Sequence, residues 1–380
     1  MAESVWEMLD GKRICICAGS GGVGKTTTSA AIAAGMAARG KKVAVLTIDP
    51  AKRLADSLGL AELGNTESQV DPALFEAAGV DCGDGELWAM MLDAKATFDE
   101  TVRKHAADDE SRERILNNRI YQQISNALAG SQEYMAMEKL YEIYEEGRYD
   151  LLVLDTPPSR NALDFLEAPR RLLQFIEGRS MQLFIKPTGF GMKVLGRGTG
   201  VMFSVLKRIT GLDLIEDLSE FFSAFSGMVG GFKERAEKVN ELLAQDESTF
   251  LVVCGPADEP IAEAVFFHDK LEESGLPFGG VIVNKVHTEG RVQESEAQVA
   301  KELRACLDDQ LAAKVAENLD DYRALAERDA RNIVELSAKM SGVNVIQVPY
   351  LAEDVHDLEG LMEINGHLFA DADEAVAVAG

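Results

Sequence analysis

Residues 13–40 read Arg13-Ile14-Cys15-Ile16-Cys17-Ala18, then Gly19-Ser20-Gly21-Gly22-Val23-Gly24-Lys25-Thr26, then an Ala-rich run from Thr27 to Arg39 closed by Gly40. The first part is a short apolar strand. The second is a glycine-rich turn, and the third is a good helix former with a glycine stop. Strand, GxxxxGK[ST] turn and helix in that order make a phosphate-binding loop. Its glycines let backbone N–H groups turn inward around phosphate oxygens, and the helix start adds the positive end of its dipole. Gly21, Gly22, Val23, Gly24, Lys25, Thr26 and Thr27 then surround the phosphates. Lys25 pairs with the β and γ phosphates, and Thr26 ligates Mg²⁺.

Outward from this loop, strand-like runs recur at 13–18, 43–48, 87–92, 149–154, 250–254, 280–283 and 343–348, with helical stretches between them. Most are near-continuous apolar segments, which marks a parallel sheet covered on both faces. The expected fold is α/β, a doubly wound and mostly parallel sheet with ligand at the carboxyl ends of its strands. No internal repeat is visible, and one loop of this type occurs. We expect a single nucleotide-binding domain over 1–380 with helical insertions at about 93–146 and 160–247.

Two strand ends carry acids. The second run ends in Asp49-Pro50-Ala51 and the fourth in Asp155-Thr156-Pro157-Pro158. Mg²⁺ needs hard oxygen ligands and keeps several waters. Asp155 is therefore a direct or water-mediated Mg²⁺ partner, and Asp49 stands near the metal and can orient the attacking water. The sixth run ends in Asn284-Lys285-Val286-His287, so His287 occupies the place where a guanine reader of NKxD type would have its Asp. Adenine offers a donor at N6 that the Asn284 side-chain carbonyl can accept. ATP is the expected nucleotide.

Composition sets bounds. Net charge is −26, from 38 Lys+Arg against 64 Asp+Glu. Such a surface repels nucleic acid and anionic lipid, leaving at most peripheral membrane contact. The five cysteines (Cys15, Cys17, Cys82, Cys254 and Cys306) form no CxxC pair. That usage fits a reducing cytosol. Glu3, Glu7 and Asp10 near the start do not read as a secretory leader, and no apolar run approaches a membrane span. A cytoplasmic location is expected.

These residues resemble the ArsA-type ATPases, a family that includes the arsenite-pump ATPase and the ATPase that delivers tail-anchored membrane proteins. The likeness rests on the loop, on Asp49-Pro50-Ala51 as switch I, on Asp155-Thr156-Pro157-Pro158 as switch II, and on Asn284 with Pro349-Tyr350 as adenine contacts. The mycobacterial and actinobacterial "anion-transporting ATPase" branch is the nearest in look, through 49–56, 156–166 and 132–140. The resemblance implies an ATP- and Mg²⁺-dependent molecular switch that couples dimer closure to cargo handling.

It also sharpens the departures. The family's loop usually begins with a Lys that reaches the partner's phosphates, and here that position is Ser20. Cations supplied in this way are worth ~10³–10⁵ in rate. Lys52 and Arg160 are candidate replacements. The alternative is a heterodimer with a paralogous subunit that keeps the lysine. The Met- and Phe-rich stretch 181–232 is either a helical core or a groove for a hydrophobic client. Arsenite binding needs soft thiolates held together, and the cysteines offer no cluster in sequence. A nucleotide-gated assembly factor with little hydrolysis is the second class. A metabolic kinase would need an arginine lid, for which Arg170, Arg171 and Arg179 are a loose candidate. A cell-division positioning ATPase would need the lysine and a basic C-terminal helix.

Overall fold

The computed structural model of the chain describes residues 4–48, 53–106, 108–119, 121–122, 131–156, 228–288 and 295–370. The chain divides into two compact units, one made of 1–91, 147–162 and 243–380 and the other of 92–146 and 163–242.

The first unit is built on eight strands. They are β1 (Ile14–Ala18), β2 (Lys42–Thr47), β3 (Ser68–Gln69), β4 (Glu86–Met91), β5 (Leu151–Asp155), β6 (Ser248–Cys254), β7 (Phe278–Val286) and β8 (Val345–Pro349). Their order is β3-β4-β2-β5-β1-β6-β7-β8. All pairs are parallel except the short β3 against β4. Every residue of β1, β5 and β6 is buried, which is why their sequences run apolar without alternation. All seven strand runs read from the sequence are present, with ends shifted by no more than three residues. β3 was missed because two residues carry no periodicity.

Helices cover the sheet. α1 (Val5–Met8), α2 (Lys25–Ala37), α3 (Arg53–Ser57) and α4 (Pro72–Ala77) belong to the first half. α4 starts on Asp71, whose carboxylate accepts from the Ala73 N–H, with Pro72 in the first turn where its missing N–H is not needed. The second unit contains α5 (Ala94–His105), α6 (Asp109–Asn117), α7 (Ser131–Glu146) and most of α8 (Val229–Ala244). Within that unit, Phe98 stacks on Phe232 with ring centroids 5.7 Å apart. Buried Glu138 pairs with Arg235 and accepts from the Tyr134 hydroxyl. The first unit closes with α9 (Asp258–Glu273), α10 (Glu296–Leu303), α11 (Asp309–Lys339) and α12 (Leu358–Leu368).

Parallel register brings the functional ends level. Asp155 of β5 lies opposite Cys17 of β1 and Thr47 of β2. Gly19 leaves β1 at φ +150°, and a β-carbon placed there would sit 2.0 Å from the Val253 carbonyl oxygen of β6. Main chain cannot retreat as a side chain does, so this position has no room for any other residue. Gly19→Ala is expected to lower unfolding stability by about 3 kcal/mol, from overpacking plus backbone strain. A fall in the urea midpoint at unchanged slope would show it, and an unchanged midpoint would refute the packing argument.

Candidate functional site

The loop between β1 and α2 adopts the conformation its glycines allow. Gly22 has φ +81° and Gly24 has φ +93°, and Gly24 is the residue from which α2 starts. A β-carbon on Gly24 would lie 2.4 Å from the Asn284 Nδ2 atom, so glycine is needed for space as well as for φ. Gly21 and Gly22 are exposed and Val23 is buried.

Lys25 is the first residue of α2 and is 6% exposed. Its ammonium donates to the Ser20 carbonyl across the loop at 2.8 Å. Thr26, the next residue, donates its hydroxyl to Asp155 Oδ2 at 2.7 Å, and Thr47 donates to the same oxygen at 2.9 Å. Asp155 has no exposed surface. Its neighbour Thr156 donates to the Cys17 carbonyl at 2.9 Å, which ties the end of β5 to the end of β1. A cation, a hydroxyl and a carboxylate thus converge at the ends of three parallel strands.

A pocket of about 470 Å³ opens beside the loop. Gly22, Gly24, Thr27, Asn284, Pro349 and Tyr350 line it. These are six of the residues read from the sequence as nucleotide contacts, and the structure brings them together. Asn284 is buried at 7% exposure, and Tyr350 is 55% exposed. The Asn284 carbonyl, taken from sequence as the N6 acceptor, here accepts from the Lys285 N–H at 3.0 Å, which leaves one lone pair free for a base.

Asp49, Pro50, Ala51 and Lys52 lie outside the described residues, as do Pro157, Pro158 and Arg160, Arg170, Arg171 and Arg179. Of the stretch 181–232, Met228 and Phe232 are described and are buried; residues 181–227 lie outside.

Sequence reasoning missed three contributors. Thr47 is an ordinary strand residue by pattern, and only the register places it on Asp155. Lys285 was visible in the Asn-Lys pair but had no assigned role. Asp329, fully buried on α11, is 42 residues from His287 and carried no local signal. Asp329 Oδ2 accepts from the His287 backbone N–H at 3.0 Å and lies 2.7 Å from its ring Nδ1. Its Oδ1 accepts from the Arg328 guanidinium at 2.7 Å. The His287 ring stacks on Tyr350 at 5.5 Å and 12°, so the buried acid fixes the ring that backs one wall of the pocket.

The residues fit a nucleotide. Open space lies over Gly22, Lys25 is held at the mouth of the loop, and the Ser20 hydroxyl is buried with no hydrogen-bond partner among the described residues. The cysteines do not form a thiolate site. Cys15, Cys17 and Cys254 are buried in strands. Burial pushes the Cys254 thiol up to about 12, and the hydrogen bond with Cys17, together with burial, raises Cys15 well above the usual thiol range.

A family model described as "Anion-transporting ATPase" matches residues 12–323. The chain belongs to this ArsA-type ATPase family. It is similar to a protein of Aquifex aeolicus named "Putative arsenical pump-driving ATPase 1", with 26% identity over 94% of this chain and 79% of the relative. It is also similar to ATPase GET3 of Malassezia globosa, with 25% identity over 95% of this chain and 92% of the relative. ATPase GET3A of Arabidopsis thaliana gives 25% identity over 90% of this chain and 80% of the relative. The family is one of ATPases, so ATP hydrolysis is the activity of this chain. Among the described residues no helix is long and apolar enough to cross a membrane.

Burial pushes the Asp329 carboxyl up, but the His287 N–H, the His287 ring and Arg328 outweigh it and hold its pKa below the ordinary value. A depressed folded pKa gives stability that is full above the unfolded value of about 3.9 and is lost as pH falls through the lower folded value. Asp329→Asn is therefore expected to lose about 1–3 kcal/mol at pH 7, the usual range for unpairing a buried partner. Urea midpoints of the two proteins should converge below about pH 4. A gap that stays constant between pH 7 and pH 3 would contradict this account.

Proposed function

We propose that this chain is a Mg²⁺-dependent ATP switch whose reaction centre is Lys25, Thr26, Asp49 and Asp155. The observation that carries it is the convergence at the strand ends: Lys25 on the Ser20 carbonyl, and Thr26 and Thr47 on one oxygen of Asp155. A phosphate oxygen is a stronger acceptor for an ammonium than a neutral carbonyl, because the hydrogen bond becomes charge-assisted. Lys25 then leaves Ser20 for the β and γ phosphates. The N–H groups of Gly21 to Thr27 would serve as donors to the same oxygens.

Mg²⁺, when bound, would supply charge neutralisation for the phosphates. Thr26 would be one hydroxyl ligand for it. Asp155, which also accepts from Thr47, would remain anchored with Thr26 on the metal, and would hold either the metal or one of its waters. Asp49 is proposed, on sequence grounds, to orient the attacking water. The pocket beside the loop takes the adenine ring, with Asn284, Pro349 and Tyr350 against it.

Hydrolysis is read as driving dimer closure and cargo handling in the cytoplasm. Ser20 carries no charge, so the partner of choice is a paralogous subunit with a lysine in that place. Lys52 and Arg160 are the in-chain alternatives. The stretch 181–232 is the proposed place for a hydrophobic client, on its Met and Phe content. A role with arsenicals, which the name of the Aquifex aeolicus relative carries, is disfavoured because Cys15, Cys17 and Cys254 are buried and the Cys15 and Cys254 thiols are raised above the usual range.

Steady-state ATPase rate, followed across a wide range of protein concentration with Mg²⁺, tests the reading. Lys25→Ala and Asp155→Asn should each lower the rate by about 10²–10³, the range for removing a group that stabilises developing charge. A Lys25→Ala protein as fast as wild type would sink the proposed centre. A rate that rises faster than linearly with concentration supports a homodimer. A negligible rate with intact ATP binding sends the search to a second subunit.

A further inference from the structure

The end of β7 departs from regular strand geometry beside the phosphate loop. Val283 pairs with Gln347 of β8, but Val286 pairs with Pro349, so β7 spends one residue more than its partner over this step. The extra residue makes a bulge at Asn284–Lys285, and the Tyr350 N–H closes the ladder again on the Val286 carbonyl at 2.9 Å. Bulges of this kind turn side chains away from the sheet's normal alternation. Lys285 has φ +62°, and among the described residues it is the only non-glycine with positive φ. A lysine in that region is strained, and strain persists where surrounding contacts fix it.

Two of those contacts reach the loop. The Asn284 amide donates to the Val23 carbonyl at 2.8 Å, and its own carbonyl accepts from the Lys285 N–H. The Lys285 ammonium donates to the Gly22 carbonyl at 3.2 Å. Gly24 lacks a side chain where Asn284 needs the space. Two consecutive residues of the bulge therefore hold two consecutive carbonyls of the loop. With Gly22 and Val23 carbonyls drawn outward to these donors, the N–H groups of the same peptides are left for the inside of the loop.

We propose that the Asn284–Lys285 bulge is a latch that sets the shape of the phosphate loop, with Lys285 a positioning residue for phosphate binding. It rests on the reading of the loop as the nucleotide site. Lys285 also lines the pocket beside the loop, so the same bulge joins the seat of the base to the seat of the phosphates. The latch acts on the loop itself, and its effect extends to a ligand that has phosphates and no base.

The test measures dissociation constants for Mg-ATP and for Mg-tripolyphosphate by calorimetry, with thermal midpoints recorded alongside. The proteins are wild type, Lys285→Ala, Lys285→Gly, Lys285→Arg and the control Lys25→Ala. Removing the ammonium in Lys285→Ala or Lys285→Gly is expected to weaken both ligands together, by about tenfold, the low end for a hydrogen bond to a charged group. Lys285→Arg should stay within about threefold of wild type, because the donor and charge remain. Lys285→Gly should melt above Lys285→Ala, since glycine accepts the left-handed backbone. This keeps loss of binding separate from loss of fold.

A loss confined to Mg-ATP would make Lys285 a wall of the pocket only and overturn the latch. Unchanged binding of both ligands would overturn it too, as would an arginine that restores nothing. If Lys25→Ala still binds both ligands like wild type, the loop is not the phosphate site, and the failure lies with the proposed function instead.

Discussion

A carboxylate with no exposed surface at the end of a central strand must be met by donors, since an unpaired buried charge costs several kcal/mol. Asp155 receives the Thr26 hydroxyl from the first turn of α2 and the Thr47 hydroxyl from the end of β2. Both bonds fall on one oxygen. That arrangement fixes the separation between the loop, β2 and β5, three pieces far apart in sequence. It also explains why parallel pairing matters. Only strands in one direction and in this register bring Cys17, Thr47 and Asp155 to the same level. An antiparallel β5 would have sent its acid to the other end of the sheet.

The second constraint is space. The loop touches β6 through Gly19 and β7 through Gly24, and in both places the neighbour stands where a β-carbon would go. At Gly19 the neighbour is a main-chain carbonyl, and at Gly24 it is the buried Asn284 side chain. Glycine therefore does two jobs in one motif. It frees N–H groups for anion binding, and it lets adjacent strands press close enough to hold the loop still. A pre-organised loop loses less ordering entropy when an anion arrives.

How much of this could be read in the sequence follows from the range of each interaction. The loop was legible because its residues are contiguous and their chemistry is local. The strands were legible because burial on both faces leaves unbroken apolar runs, as in Leu151 to Leu154. Asp155 was legible by its position after such a run. Thr47, Lys285 and Asp329 were not assigned, for a common physical reason. Thr47 acquires its role from register, Lys285 from a bulge, and Asp329 from the packing of a 31-residue helix whose sequence shows only helical periodicity. None of these leaves a pattern within one segment. His287 shows the limit from the other side. The sequence marked it as a departure from a guanine-reading motif, and the structure gives it a partner that motif does not contain.

A protein with net charge −26 repels a polyanionic nucleotide at long range, yet screening limits that field to roughly 8 Å at physiological ionic strength. Inside that distance local groups decide. At the loop they are the Lys25 and Lys285 ammoniums and the helix start. Both ammoniums rest on loop carbonyls, Ser20 and Gly22, which are weak acceptors compared with phosphate oxygens. The acidic surface then disfavours nucleic acid, whose binding needs many phosphate contacts over a wide face, and leaves a compact anion that fits within one loop as the ligand the site can still attract.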